Sequence, residues 1–255
     1  RAARRRVGAV RVLVWRRADF RETSRLVTLV SRERGRFVAL AKGAHRPGSA
    51  QLGRLDFLNL CDVTIAGKGI PLLGRTTLVH EPRALREPQR FLAAMHIGEL
   101  FDRAWLDERA DPELFDVLLG AVTLLERSPL TTLPTIVLGL ELRLLRALGL
   151  VADLDACASC GATAPLHPLG NGAGLACARH REDSGPAPLS PAAAGWLRTL
   201  SAQPARTWPG LRVERGLGEA LLCAGRWVEA ALEKRPLHRR AALERLGRTD
   251  DARSA

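Results

Sequence analysis

The chain has 255 residues, 46% of them hydrophobic and 26% charged, and a formal net charge of +12. This composition excludes an intrinsically disordered chain, and 5 cysteines in such a length exclude a disulfide-stapled secreted scaffold. Residues 1–54 hold 14 Arg and Lys42 against Asp19, Glu22 and Glu33, whereas 24 bases meet 24 acids after residue 54. A neutral body with a basic N-terminal piece points to a polyanion. A phosphate backbone is the usual one, because each neutralised phosphate releases a condensed counterion.

In chain order, Val10, Val12 and Val14 alternate with Arg11, Leu13 and Trp15, the period of a strand. Arg25–Val30 and Arg36–Ala41 form a predicted hairpin around Glu33, Arg34 and Gly35. Residues 43–54 are rich in Gly, Pro, Ser and Arg without periodicity and read as a mobile basic loop. Phe57–Ala66 and Ile70–Thr77 give two more strands about a turn at Gly67, Lys68 and Gly69. Five short strands match the OB-fold barrel, and the count alone also admits an SH3-like barrel.

After a linker at 80–88 the period becomes helical. Phe91, Met95, Leu100 and Phe101 share one face, Asp111-Pro112 opens a second helix, and Pro134 opens a third that ends at Gly149. The most apolar stretch, 133–151, is interrupted by Glu141, Arg143 and Arg146, which excludes a membrane span there. Ser190-Pro191 starts another helix, 218–234 makes the last long one, and a polar tail follows from about 247. The predicted fold class is α+β multidomain: a basic OB-fold barrel over 1–79, then an all-α domain over 80–255. A small zinc-binding insertion lies at about 153–186.

That insertion carries the strongest motif. Cys157 and Cys160 form one pair with two residues between, followed by Gly161; Cys177 and His180 form a second pair with the same spacing. Three thiolates and an imidazole make a closed tetrahedral zinc site, structural because no position is left for water. His167, in the same loop, is the alternative fourth ligand. Cys61 and Cys223 lie in apolar patterns and read as core.

The second constellation is basic. Arg16 and Arg17 end the first strand, Arg34 and Arg36 sit at the hairpin tip, and Lys42, His45, Arg46 and Arg54 line the following loop. On a small barrel these are expected near one rim, as a groove that tracks a phosphate backbone. Trp15, Phe20, Phe37 and Phe57 are the aromatic residues nearby; with no Tyr in the chain, binding should lean on charge rather than stacking. No phosphate loop, nucleophile elbow or zinc-protease pair occurs, and acid pairs such as Asp107-Glu108 and Asp250-Asp251 read as solvated surface. The chain is therefore expected not to be an enzyme. The Arg-rich start runs into strand rather than an apolar segment, so a cytoplasmic location is expected.

The runs Ala18–Leu29, Glu33-Arg34-Gly35, Ala41–Pro47, Leu55-Asp56-Phe57, Gly69–Leu73, Gly149-Leu150 and Leu154–Gly161 resemble the RecO family of bacterial recombination mediators. The resemblance covers most of the chain in order. It implies an N-terminal OB-fold, a helical domain and a zinc element. It also implies binding to single- and double-stranded DNA, and annealing of complementary strands without nucleotide hydrolysis. The implied partners are RecR, the single-stranded DNA-binding protein through its acidic C-terminal tail, and indirectly RecA. It carries DNA contact onto Lys42 and Arg46; His45 stands where the family has Arg, and His180 stands where the family has a further Cys. An RNA-binding barrel and zinc ribbon of translation or transcription is the alternative function from the residues alone.

Overall fold

Valine at alternate positions and a single displaced residue in the first strand set the architecture. The computed structural model describes residues 9–67, 69–105, 108–151, 154–163, 166–170, 174–181 and 185–244. Lys68, Asp107, the first eight residues and the polar tail lie outside that set. Strand β1 (Ala9–Phe20) pairs antiparallel with both β4 (Leu60–Ala66) and β2 (Ser24–Ser31). One strand can serve both neighbours because its register with β2 shifts between Val14 and Arg16, and the extra residue bends it. The side chain of Trp15 is buried, 6.0 Å from the Phe57 ring. Strand β3 (Gly35–Ala41) follows β2 through the predicted hairpin, and β5 (Leu72–His80) pairs with β4.

A parallel pairing of Leu40 with Leu72 closes the barrel in the order β1-β2-β3-β5-β4. This is the five-stranded OB-like barrel expected from the strand count. Its interior holds Val12, Val14, Val27, Leu29, Phe37 and Cys61, the inward-facing residues of the alternation. Burial raises the Cys61 thiol to about 11, so it is an inert core residue, as read from the sequence.

The segment 43–54 is a loop, as expected, and it is folded into turns. Amides of Arg46, Ser49, Leu52 and Arg54 each donate to the carbonyl three residues earlier, giving successive turns. Gln51 Nε2 donates to the Gly74 carbonyl at 3.0 Å, and Ala44 and Leu55 anchor the ends of the segment in the barrel core. Gly and Pro mark turns correctly; the sequence period cannot say that the turns are stitched to β5.

The helical part is built on α3 (Leu133–Ala147), whose Ile136, Val137, Leu138, Leu140 and Leu144 are all buried. A helix buried around most of its circumference must be central. Helices α1 (Pro88–Ala104), α4 (Pro191–Ala202) and α5 (Leu217–Leu232) pack against it. Gly139 permits the closest approach: a Cβ there would lie 2.6 Å from the buried Trp208 ring. Helix α2 (Pro112–Arg127) begins where Asp111 accepts from the Leu114 amide at 2.9 Å, the predicted cap. Ser190 caps α4 in the same way, at 3.2 Å from the Ala193 amide. Buried Arg90 donates to the carbonyls of Leu125 and Ser128, satisfying the end of α2.

The chain forms two compact units. One holds the barrel with Trp105–Val122; the other holds Ala84–Ala104 and the chain from Thr123 onward. Among the described residues no helix is long and apolar enough to cross a membrane.

Candidate nucleic-acid surface and metal centre

The barrel's cations divide into those bound internally and those that face solvent. At the β2–β3 tip, Arg36 donates to the Trp105 carbonyl at 3.3 Å while its own carbonyl accepts from the Glu108 amide at 2.8 Å. Arg32 pairs with Asp116 at 3.2 Å. Gly35, at φ +68°, lies so close to the Arg109 carbonyl that any Cβ would collide with it. The tip is thus covered by residues of its own unit. Arg34 remains exposed, with its guanidinium 4.5 Å from the centre of the Phe37 ring.

Elsewhere on the barrel, Arg17 pairs with Asp56, Arg11 with Asp62, and Arg54 Nη1 donates to the Thr76 carbonyl at 2.6 Å. Arg54 also offers its carbonyl to Asn59 Nδ2, so it holds the turn segment to the strands. Arg16 is exposed on β1. His45 Nε2 lies 2.7 Å from Asp19 Oδ1. Lys42 and Arg46 are exposed and make no side-chain ion pair among the described residues.

The expected single rim does not form. Arg34 and Arg36 lie at one end of β3 and Lys42, His45 and Arg46 just beyond the other. The 7 residues of β3 separate them by about 20 Å at the rise of an extended strand. Nearness in sequence misled here because a strand carries its two ends to opposite edges of a barrel. Of the aromatic residues, Phe37 is core and Trp15 is buried, while Phe20 lies half-buried with Arg21 at 5.3 Å.

The cysteine cluster lies in the second unit, around a two-stranded ribbon of β6 (His167–Pro168) and β7 (Leu175–Ala176). The first knuckle turns at Gly161, at φ +73°, whose amide donates to the Cys157 carbonyl at 2.9 Å. In the second, the His180 amide donates to the Cys177 carbonyl at 3.0 Å. Ala158 bonds to Leu175, bringing the knuckles together.

The ligand atoms of Cys157, Cys160, Cys177 and His180 lie within 4.8 Å of one another. Cys160 Sγ is 3.7 Å from Cys177 Sγ, too far for a disulfide. His180 Nδ1 is 3.7 Å from Cys157 Sγ and 3.4 Å from Cys177 Sγ. A tetrahedral zinc with Zn–S about 2.3 Å and Zn–N about 2.05 Å needs S–S edges of about 3.8 Å and S–N edges of about 3.6 Å. The donor set fits. His180, not His167, is the histidine that lies with the three cysteines; His167 is buried outside the cluster, with Nδ1 3.1 Å from the Pro186 carbonyl. The backbone amide of Cys177, with those of Ser159 and Cys160, holds the Cys157 thiol down at about 5 against its burial. A thiolate is the form a metal requires.

A third cluster was not foreseen. His96 on α1, Glu141 on α3 and Arg239 near the C-terminal end form a buried network, with Arg239 Nε and Nη2 at 2.7 and 3.0 Å from the two oxygens of Glu141. The signal in the sequence was Glu141 itself, a carboxylate within an apolar helix.

The family model described as Recombination protein O N terminal matches residues 9–81, and that described as Recombination protein O C terminal matches 85–241. A protein named DNA repair protein RecO from Exiguobacterium sibiricum is 31% identical over 175 residues, 67% of this chain and 69% of its own length. One of the same name from Bacillus pumilus is 30% identical over 191 residues, 73% of each chain. Another, from Roseiflexus, is 31% identical over 243 residues, 91% of this chain and 84% of the relative.

Proposed function

The chain belongs to the RecO family of DNA repair proteins, and we propose that it is a recombination mediator. In this reading the barrel binds single- and double-stranded DNA and anneals complementary strands. It also helps load recombinase onto DNA coated by the single-stranded DNA-binding protein. The observation that supports it most is the cationic end of the barrel, where Lys42 and Arg46 face solvent while Arg11, Arg17 and Arg32 are paired with carboxylates. Phosphates of two strands held against such a surface repel one another less, so complementary bases can meet. The action is binding without bond cleavage, in the cytoplasm.

Zinc in the Cys157, Cys160, Cys177 and His180 site would supply a closed structural cross-link of the two knuckles. The electrically neutral body recruits RecR and the acidic tail of the single-stranded DNA-binding protein, and through them RecA. A cavity of about 250 Å³ there is lined by Arg146, Val151 and Leu154, with Arg198 paired to Asp155 at 3.0 Å; Arg146 is the cation it offers to an acidic tail.

The deciding experiment is annealing of complementary oligonucleotides pre-coated with the cognate single-stranded DNA-binding protein, without ATP. Rapid annealing is expected. Tight binding to bare DNA without annealing would leave a DNA-binding barrel that is not a mediator.

A further inference from the structure

The end of the barrel at the β1–β2 turn gathers Arg21, Arg25, Lys42, His45 and Arg46, with Asp19 and Glu22 as its acids. Asp19 Oδ1 lies 2.7 Å from His45 Nε2 and 3.2 Å from Arg25 Nε. The Asp19 side chain is 72% exposed, but those of Arg25 and His45 are only 14% and 27% exposed. An anion therefore sits outermost on two cation-forming side chains held beneath it.

Backbone contacts fix those two donors. Arg25 pairs across the sheet with Ala41, and the His45 amide donates to the Thr23 carbonyl at 3.1 Å, seating the turn segment against the hairpin. The terminal nitrogens of Arg25 make no further bond among the described residues. A phosphate oxygen has the charge and acceptor geometry of the carboxylate oxygen it would replace. Lys42 and Arg46 adjoin the same spot.

We propose that Arg25 and His45 form a phosphate seat for a nucleic-acid backbone, and that Asp19 occupies this seat in the free protein as an internal phosphate mimic. The proposal rests on the DNA-binding reading above and adds to it a site and a brake. A strand that binds here must displace Asp19, so the protein holds polyanions less tightly than its charge alone would allow.

The test compares Asp19→Asn with Asp62→Asn, which removes one negative charge from the barrel at the Arg11 pair instead. Binding of a labelled oligo-dT is followed by anisotropy across a salt series. D19N should raise affinity roughly two- to fivefold, the size of one exposed ion pair. Its log–log salt slope should steepen by about 0.7, one more single-strand phosphate. D62N should leave the slope unchanged, and adding Arg25→Ala to D19N should abolish the gain. Equal gains in D19N and D62N would overturn the proposal in favour of bulk charge. Weaker binding by D19N would also overturn it, since Asp19 would then be positioning the cations. If the unmodified chain binds no oligonucleotide, the DNA reading fails. Inorganic phosphate titrated into D19N, read on the His45 ring by NMR, still separates the cases: a shift there supports an anion seat, and no shift overturns it. A shift with phosphate but none with oligonucleotide would assign the seat to a small anion and overturn the nucleic-acid proposal.

Discussion

His96 Nε2 lies 2.6 Å from Glu141 Oε1, and neither side chain has any exposed surface. Arg239 completes the group by gripping the same carboxylate, and His238 approaches Glu99 at 2.6 Å. Two helices far apart in sequence and a segment near the C-terminal end are thereby tied inside the second unit. Removing the charge of Glu141 would leave the Arg239 guanidinium buried without its counter-charge. Glu141→Gln should cost about 3–5 kcal/mol, the penalty of breaking a buried pair from one side. Chemical denaturation of the full chain measures it.

The same group sets a pH dependence. Burial pushes Glu141 up, but the charge of Arg239 and the bond to His96 outweigh it and hold the carboxyl at about 2, below its ordinary 4.5. Its contribution is fully present above 4.5 and is lost as pH falls through about 2. Burial pushes His96 down, but its bond with Glu141 and the nearby Glu99 carboxylate, 3.9 Å from Nδ1, prevail, and it stands above its ordinary 6.5. That contribution is complete below 6.5 and is lost as pH rises through the raised folded value. The melting temperature should fall on both flanks, and His96→Gln should remove the alkaline loss.

DNA affinity should fall with salt with a log–log slope of roughly −3 to −5 if about five phosphates are contacted. Lys42→Ala and Arg46→Ala should each weaken binding alike on all sequences. Arg54→Ala should instead lower the melting temperature, because the Arg54 guanidinium donates to the Thr76 carbonyl and so ties the turn segment to β5. Anisotropy titrations beside thermal melts separate the two classes; a slope near zero would defeat the charge-driven account.

Metal analysis should find about one zinc per chain, and chelation should lower the melting temperature of the second unit. Cys177→Ser should release the metal, whereas His167→Gln should retain it, since His167 lies outside the four-donor cluster. Unchanged melting after metal removal would refute a structural role.

Gly139→Ala should destabilise by about 1–3 kcal/mol through overpacking, because the added methyl meets the fully buried Trp208 ring. Gly120→Ala, exposed inside α2 where a Cβ meets open space, is the unstrained comparison and should stabilise by about 1 kcal/mol.

Much of this molecule was legible in its sequence because the relevant signals are local. Alternating valines named β1, Asp111 and Ser190 announced their helices, and the paired spacing of Cys157, Cys160, Cys177 and His180 specified two knuckles that could meet around one ion. The uneven charge likewise marked the barrel as the basic part. Each of these depends on contacts within a few residues, where the chain has little freedom.

What tertiary structure alone decided is which charges remain available. Arg36 and Arg54 look like Arg46 in the sequence, yet the first two are spent on the carbonyls of Trp105 and Thr76. Asp19 reads as one acid in a basic run, but the hairpin places it on Arg25 and the turn segment adds His45. His96, Glu141 and Arg239 carry no common motif and meet only when the helices pack. The reason is physical: an ion pair depends on distance through space, and backbone pairing between remote segments fixes that distance.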